Sequence, residues 1–203
     1  PSKEPITLDS EIEINVNSQD KFHVSCDSYL SIEGRLESTG ADYTRDSLVT
    51  LINNGIPYLF REIRYEINNE EVERIRNPGQ ATTMKMLLTY GPEFENTEGQ
   101  RMCYAKDSSD AVDSPGRPLL NNTGFRTRQT LIMGRPRTPG TFSFVVPMKH
   151  LMTFFEDYRK VIYGVRQTLR FNPSGFNDAV YRSQALPAVA ADADNFRAGL
   201  PGI

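Results

Sequence analysis

Tryptophan is absent from the 203 residues, and histidine and cysteine occur only twice each. Each shortage removes a class of function. Cys26 and Cys103 cannot build a disulfide framework and lie far from any metal-ligand spacing, so they read as two free thiols. His23 and His150 are too few and too far apart for the histidine-rich metal centre of a cupin-like enzyme. No stretch approaches the ~20 apolar residues of a membrane-spanning helix. Basic excess is missing too. The net charge is −3 with both signs interspersed, unlike a dedicated nucleic-acid binder. The chain opens with Pro1, no signal-peptide pattern follows, and it reads as a processed or partial product.

What the sequence has is alternation. Ile12, Ile14 and Val16 take one phase while Glu11, Glu13 and Asn15 take the other. The same period returns at Phe22, Val24 and Cys26, and at Leu30, Ile32, Gly34 and Leu36. Period two predicts strands with one face buried and one wet, and hence antiparallel sheets. Ile63, Tyr65 and Ile67 alternate with Glu62, Arg64 and Glu66, and Val72 and Ile75 are expected to extend the apolar face beyond a turn. Asn68-Asn69 suits a tight hairpin, because asparagine tolerates positive φ. Further strands are predicted at Phe125 to Ile132, Thr141 to Val146 and Val161 to about Phe171.

Two short helices interrupt this pattern. Ala81, Met84, Leu87 and Leu88 share one face at helical spacing, with Gly91-Pro92 as a stop. Pro147 opens a second helix whose Leu151, Phe154 and Phe155 suit the plug at one end of a sandwich. Residues from Gly91 to Gly124 are polar and aperiodic and read as a long connection. The expected architecture is therefore all-β: a jelly-roll β-sandwich of about eight antiparallel strands with two short helices, over residues 1–171. Residues 172–203, rich in Ala, Pro and Asp, read as a loop or linker.

Candidate chemistry is thin. His23 falls on the polar phase opposite Phe22 and Val24, as a rim histidine would, and His150 stands beside Lys149 with no carboxylate at ligand spacing. Asp192, Asp194 and Asn195 lack the glycine and distal glutamate of a calcium loop. Glu156 and Asp157 precede Arg159 and Lys160, an order that suits a short helix better than an acid–base pair. Asn121-Asn122-Thr123 is a glycosylation triplet of a kind common by chance. Arg126, Arg128, Arg135 and Arg137 form the densest basic cluster, open to two readings: contact with phosphates or an acidic neighbour, or the wet face of a strand and turn. No catalytic, cofactor-binding or metal-binding residue is assigned, and no enzyme activity is expected.

Several runs are more specific. Leu51-Ile52-Asn53-Asn54-Gly55-Ile56-Pro57-Tyr58-Leu59-Phe60-Arg61-Glu62-Ile63-Arg64-Tyr65-Glu66-Ile67-Asn68 resembles a signature stretch of double jelly-roll major capsid proteins, those of adintoviruses and polinton-like elements above all. Glu73-Arg74-Ile75-Arg76-Asn77-Pro78-Gly79, Val146-Pro147-Met148-Lys149 and Phe155-Glu156-Asp157-Tyr158-Arg159-Lys160-Val161-Ile162 continue the likeness in order, and Glu11 to Leu36 fits it. The resemblance covers most of residues 8–171 and only the amino-terminal jelly roll of such a protein. It implies a structural subunit that forms homotrimeric, pseudo-hexameric capsomers and an icosahedral shell. Implied partners are copies of itself, other capsid proteins such as the penton, and weakly the packaged DNA, with no membrane partner. The implied location is the virion, and the host nucleus or cytoplasm during assembly. The alternative is a jelly-roll module that binds carbohydrate or a receptor. Such a face would present exposed aromatics beside Asp and Asn.

Overall fold

The structure, a computed structural model, describes residues 10–17, 21–38, 43–44, 47–108, 122–133, 140–182 and 196–199. Where the sequence alternates most strictly, sheets form. The strands are β1 (Ile12–Asn17), β2 (Phe22–Val24), β3 (Tyr29–Ser38), β4 (Val49–Leu51), β5 (Phe60–Ile67), β6 (Glu70–Arg76), β7 (Thr141–Pro147), β8 (Val161–Tyr163), β9 (Arg166–Pro173), β10 (Val180–Arg182) and β11 (Phe196–Gly199). The helices are α1 (Pro78–Thr89), α2 (Pro92–Asn96), α3 (Thr123–Ile132), α4 (Met148–Leu151) and α5 (Thr153–Asp157). The protein is thus mostly β, and every strand pairing is antiparallel.

One sheet runs β1-β9-β5-β6 and another β11-β3-β7, with the two-stranded pairs β10-β4 and β2-β8 beside them. Three pairings are nested: β1 with β9, β2 with β8 and β3 with β7. Leu30, Ile32 and Leu36 of β3 and Phe142, Phe144 and Val146 of β7 point into the same buried cluster as Ile63, Tyr65 and Phe171 of the four-stranded sheet. Both larger sheets therefore share one core, as in a β-sandwich.

Glycine is required at Gly34. A Cβ built there would lie 2.2 Å from the Phe142 ring, which fills the space opposite. At the β5–β6 turn, Asn68 and Asn69 take φ of 51° and 67°, the hairpin geometry expected of that pair. Val72 and Ile75 do not share a face, because residues three apart in a strand point to opposite sides. Ile75 is half-buried, and Val72, which the register shift after Tyr65 leaves without a partner position, is exposed. The free edge of β6 carries Glu70, Glu71, Arg74 and Arg76, charges that oppose pairing with another chain.

Five segments differ from expectation. The single strand expected from Val161 to about Phe171 is two, β8 and β9, which pair with different strands, and the single helix expected after Pro147 is two, α4 and α5. Thr123–Ile132 is helix, not strand. The Asn122 side chain caps it, accepting from the Phe125 N–H at 3.0 Å, and Phe125, Arg128, Gln129 and Ile132 bury at helical spacing. The stretch after Gly91 is not a plain connection either. It folds as α2 and a 3-10 turn at Gly99–Met102, and it puts Met102, Cys103 and Tyr104 into the core. Beyond Phe171, the expected loop instead carries β10 on β4 and β11 on β3, with Ala179 and Val180 buried. The element count accordingly exceeds eight strands and two helices.

Candidate interaction surfaces

Arg128 decides the fate of the basic cluster. It is 1% exposed. Its Nε donates to the Leu51 carbonyl at 2.9 Å, Nη1 to the Ala105 carbonyl, and Nη2 to Asp107 Oδ1 at 2.7 Å. This guanidinium ties α3 to β4 and to the 105–107 segment and is not presented to a phosphate. Arg126 is half-buried and donates to Gln129 Oε1 at 2.8 Å. Arg135 and Arg137 lie outside the described residues, as do Asp192, Asp194, Asn195 and Asn121. Of the two open readings, the wet strand face is overturned for residues 126 and 128, because their segment is a helix with Arg128 turned inward.

His23 sits deeper than a rim placement, and His150 lies on the short helix where it was expected. His23 is half-buried, opposite Ile162 in the β2–β8 pair, and its Nε2 is out of solvent. His150 is buried on α4, with Nδ1 2.8 Å from the Tyr90 hydroxyl. Burial pushes its pKa down to about 4, helped by the charges of Lys149 and Lys85. Burial likewise pushes the Cys103 thiol up to about 12, which removes its nucleophilicity at neutral pH. Among the described residues, no three His, Cys, Asp or Glu side chains converge as metal ligands would. None of the described helices is long and apolar enough to cross a membrane.

Among the described residues, two faces group three or more exposed large apolar side chains, one on α1 and one on the β2–β8 pair. On α1, Pro78, Gly79, Thr82 and Met86 turn to the core. The stripe Ala81, Met84, Leu87 and Leu88 turns to solvent, with Leu88 87% and Met84 65% exposed. A helix apolar on both sides normally has something against each. Asn54 fixes which side faces in: its amide donates to Thr82 Oγ1 at 2.8 Å and Thr83 Oγ1 at 3.0 Å, and Thr82 Oγ1 donates to the Pro78 carbonyl at 2.7 Å.

The second face is the β2–β8 ribbon. Phe22, Val24, Val161 and Tyr163 all point outward, with Phe22 74% exposed. The antiparallel register sets Phe22 across from Tyr163 and Val24 across from Val161, and the two rings lie 4.8 Å apart. Their phase is the reverse of expectation: the apolar side is wet, while His23 and Ile162 face in.

A third surface is polar. The outer side of the four-stranded sheet carries Arg170 between Glu11 (3.1 Å), Glu13 (2.7 Å) and Glu66 (3.1 Å), with Arg64 bridging Glu11 and Glu62. The Asn15 amide and then Arg170 hold the Glu13 carboxyl below its ordinary value. These charges satisfy one another, leaving little for a ligand. Near α5, an open groove of about 400 Å³ is lined by Val72, Glu73, Phe154, Asp157 and Tyr158. Glu73 is already spent there, accepting from the Thr153 and Phe154 N–H groups at 2.8 Å each.

Comparison with known proteins adds no identity: no protein-family model matches the chain, and no curated protein matches it.

Proposed function

We propose that this protein is a structural, self-assembling subunit of a viral shell, built on a jelly-roll sandwich, with no catalytic role. The observation that carries the reading is the outward apolar stripe of α1. Water contact at Met84, Leu87 and Leu88 is unfavourable by about 25 cal/mol per Å² of apolar surface, and burial between subunits removes it. The resemblance of Leu51–Asn68 and Glu73–Gly79 to major capsid proteins supports it, since those runs form β5, β6 and the start of α1. The nested pairs β1–β9, β2–β8 and β3–β7 also support it, because a jelly roll is a long antiparallel ribbon wound on itself. The side-by-side β5–β6 hairpin departs from a plain eight-strand roll. On this reading the partners are copies of the chain, first in a homotrimer and then in a lattice with other capsid proteins, and the site of action is the virion. Size-exclusion chromatography with light scattering tests it. A mass that climbs with concentration to trimers or larger bodies is expected, and a strict monomer at every soluble concentration overturns it.

A second reading draws on the groove beside α5. There Phe154 and Tyr158 stack at 5.1 Å with Asp157 next to them, the pairing of aromatic face and carboxylate that a sugar-binding site uses. A glycan array separates the two: binding lost on Tyr158→Ala would favour the carbohydrate module.

A further inference from the structure

Among the described residues, β4 pairs on one side only, with β10. Alternate residues of an antiparallel strand turn their N–H and C=O groups to the partner. Thr50 stands opposite Tyr181, and the Ile52 N–H donates to the Ala179 carbonyl at 2.9 Å, so residues 50 and 52 face β10. The carbonyls of Val49 and Leu51, with Ser47 before them, fall on the opposite phase, and each is met by a side chain. Gln129 Nε2 donates to the Ser47 carbonyl at 2.8 Å, the Tyr43 hydroxyl to the Val49 carbonyl at 2.7 Å, and Arg128 Nε to the Leu51 carbonyl at 2.9 Å. The 103–105 segment continues the cover. Asn53 Oδ1 accepts from the Ala105 N–H, and the Asn54 N–H donates to the Cys103 carbonyl, both at 2.9 Å. Arg128 Nη1 also holds the Ala105 carbonyl, so one guanidinium joins the two halves of the cover.

Carbonyls at every second residue along one edge, about 6.8 Å apart, are what an added strand pairs with. Here three side-chain donors stand where the N–H groups of such a strand would. We propose that α3 is an edge guard, its Arg128 and Gln129 closing β4 to an extended strand from a second copy of this chain. The contact is autoinhibitory and stands whether or not the shell contacts form, since those join finished faces. The two edges of the fold show why a guard is needed. The edge strand β6 carries charges that repel a partner strand, whereas all three residues of β4 are buried, and a charge there would be costly. Covering the edge is the remaining solution. The carbonyls of Val49 and Leu51 belong to residues with no exposed surface, so a lost donor leaves a buried acceptor without a partner. The N–H of an incoming strand then restores what the side chain gave.

Removing the donors tests this on the full chain. Arg128→Leu with Gln129→Leu should strengthen self-association about tenfold or more in light scattering, at temperatures where circular dichroism shows the variant folded. Infrared spectra of the same samples should gain the amide-I signal of strands paired between chains, which the docking of finished faces does not produce. Gln129→Leu alone should move both readouts the same way by a smaller factor, and it decides the matter if the double variant does not fold. Ile63→Ala, a core substitution on β5, serves as the comparison at a matched margin below its own melting temperature, and should gain neither signal. Two results overturn the guard. One is a folded donor variant that pairs no more than the parent. The other is an Ile63→Ala chain that gains the same intermolecular strand signal, because pairing would then follow from lost stability and not from the opened edge.

Discussion

The β3–β7 pair and the β2–β8 pair have the same kind of sequence and opposite outcomes. In β3 and β7 the apolar phase, Leu30, Ile32, Leu36, Phe142, Phe144 and Val146, is the buried phase. In β2 and β8 the apolar phase, Phe22, Val24, Val161 and Tyr163, is the wet one. The helix α1 repeats the second outcome. Periodicity states which side chains leave water with profit, not what removes them from it. On the assembly proposal a chain has two places to put an apolar face, its own core and its neighbour, and the two pairs would take one each.

The comparison is sharpest at Gly34. The first carbon of any side chain there would sit within 3 Å of three Phe142 ring atoms, in a core with no room to yield. Gly34→Val should cost about 4 kcal/mol, or about 8–16 °C of melting temperature for a chain this size. A melt within a few degrees of the parent would mean that the β3–β7 interior is looser than its geometry. Next comes Arg128→Leu. It leaves the Leu51 and Ala105 carbonyls without their donor inside the fold, and should cost about 3 kcal/mol by denaturant titration. If it proves neutral, Arg128 is not the tie between α3 and β4.

Much of the sandwich was legible in the residues. Strict period two at Ile12–Val16, Leu30–Leu36, Ile63–Ile67 and Phe142–Val146 reports burial on one side, and these segments are β1, β3, β5 and β7. The hairpin at Asn68-Asn69 was legible because positive φ restricts the residue types. Helix α3 reads as strand in the sequence although helix signals are present: Asn122 as a cap, then Phe125, Arg128, Gln129 and Ile132 at helical spacing. Arg128 hid the pattern, since an arginine on the inner face reads as a wet position until its carbonyl partners are known. Those partners, Leu51 and Ala105, are distant in sequence. The outward stripe of α1 was visible as a stripe but not as outward. Its direction is fixed by Asn54 reaching Thr82, and no local pattern encodes that contact.

His150 places a pH dependence in the buried half of the comparison. Folded, its pKa is about 4, below the ordinary 6.5, so the folded state resists a proton that the unfolded chain accepts. Stability is full above about pH 6.5 and falls as pH drops towards 4, where the folded form also takes the proton. The loss is of order 2 kcal/mol. His150→Gln removes the titration and should flatten thermal midpoints measured between pH 6.5 and 4. Midpoints that fall as steeply in the variant would assign the acid sensitivity to carboxylates instead.

The smallest stability effect belongs to the wet half. Met84→Gln with Leu88→Gln changes side chains that touch solvent, on a helix whose hold on the core runs through Thr82 and Met86. In a dilute monomer the stability should change by no more than about 0.5 kcal/mol, because exposed side chains exchanged for glutamine lose little packing. The same variant, concentrated, should lose association, since two of the three large apolar side chains of the stripe are gone. That pairing of a silent melt with a lost assembly is what distinguishes a face held for a neighbour from a face held for the fold. A dilute variant that unfolds early would show that the stripe is covered by the chain itself, and α1 would then belong with β3 and β7.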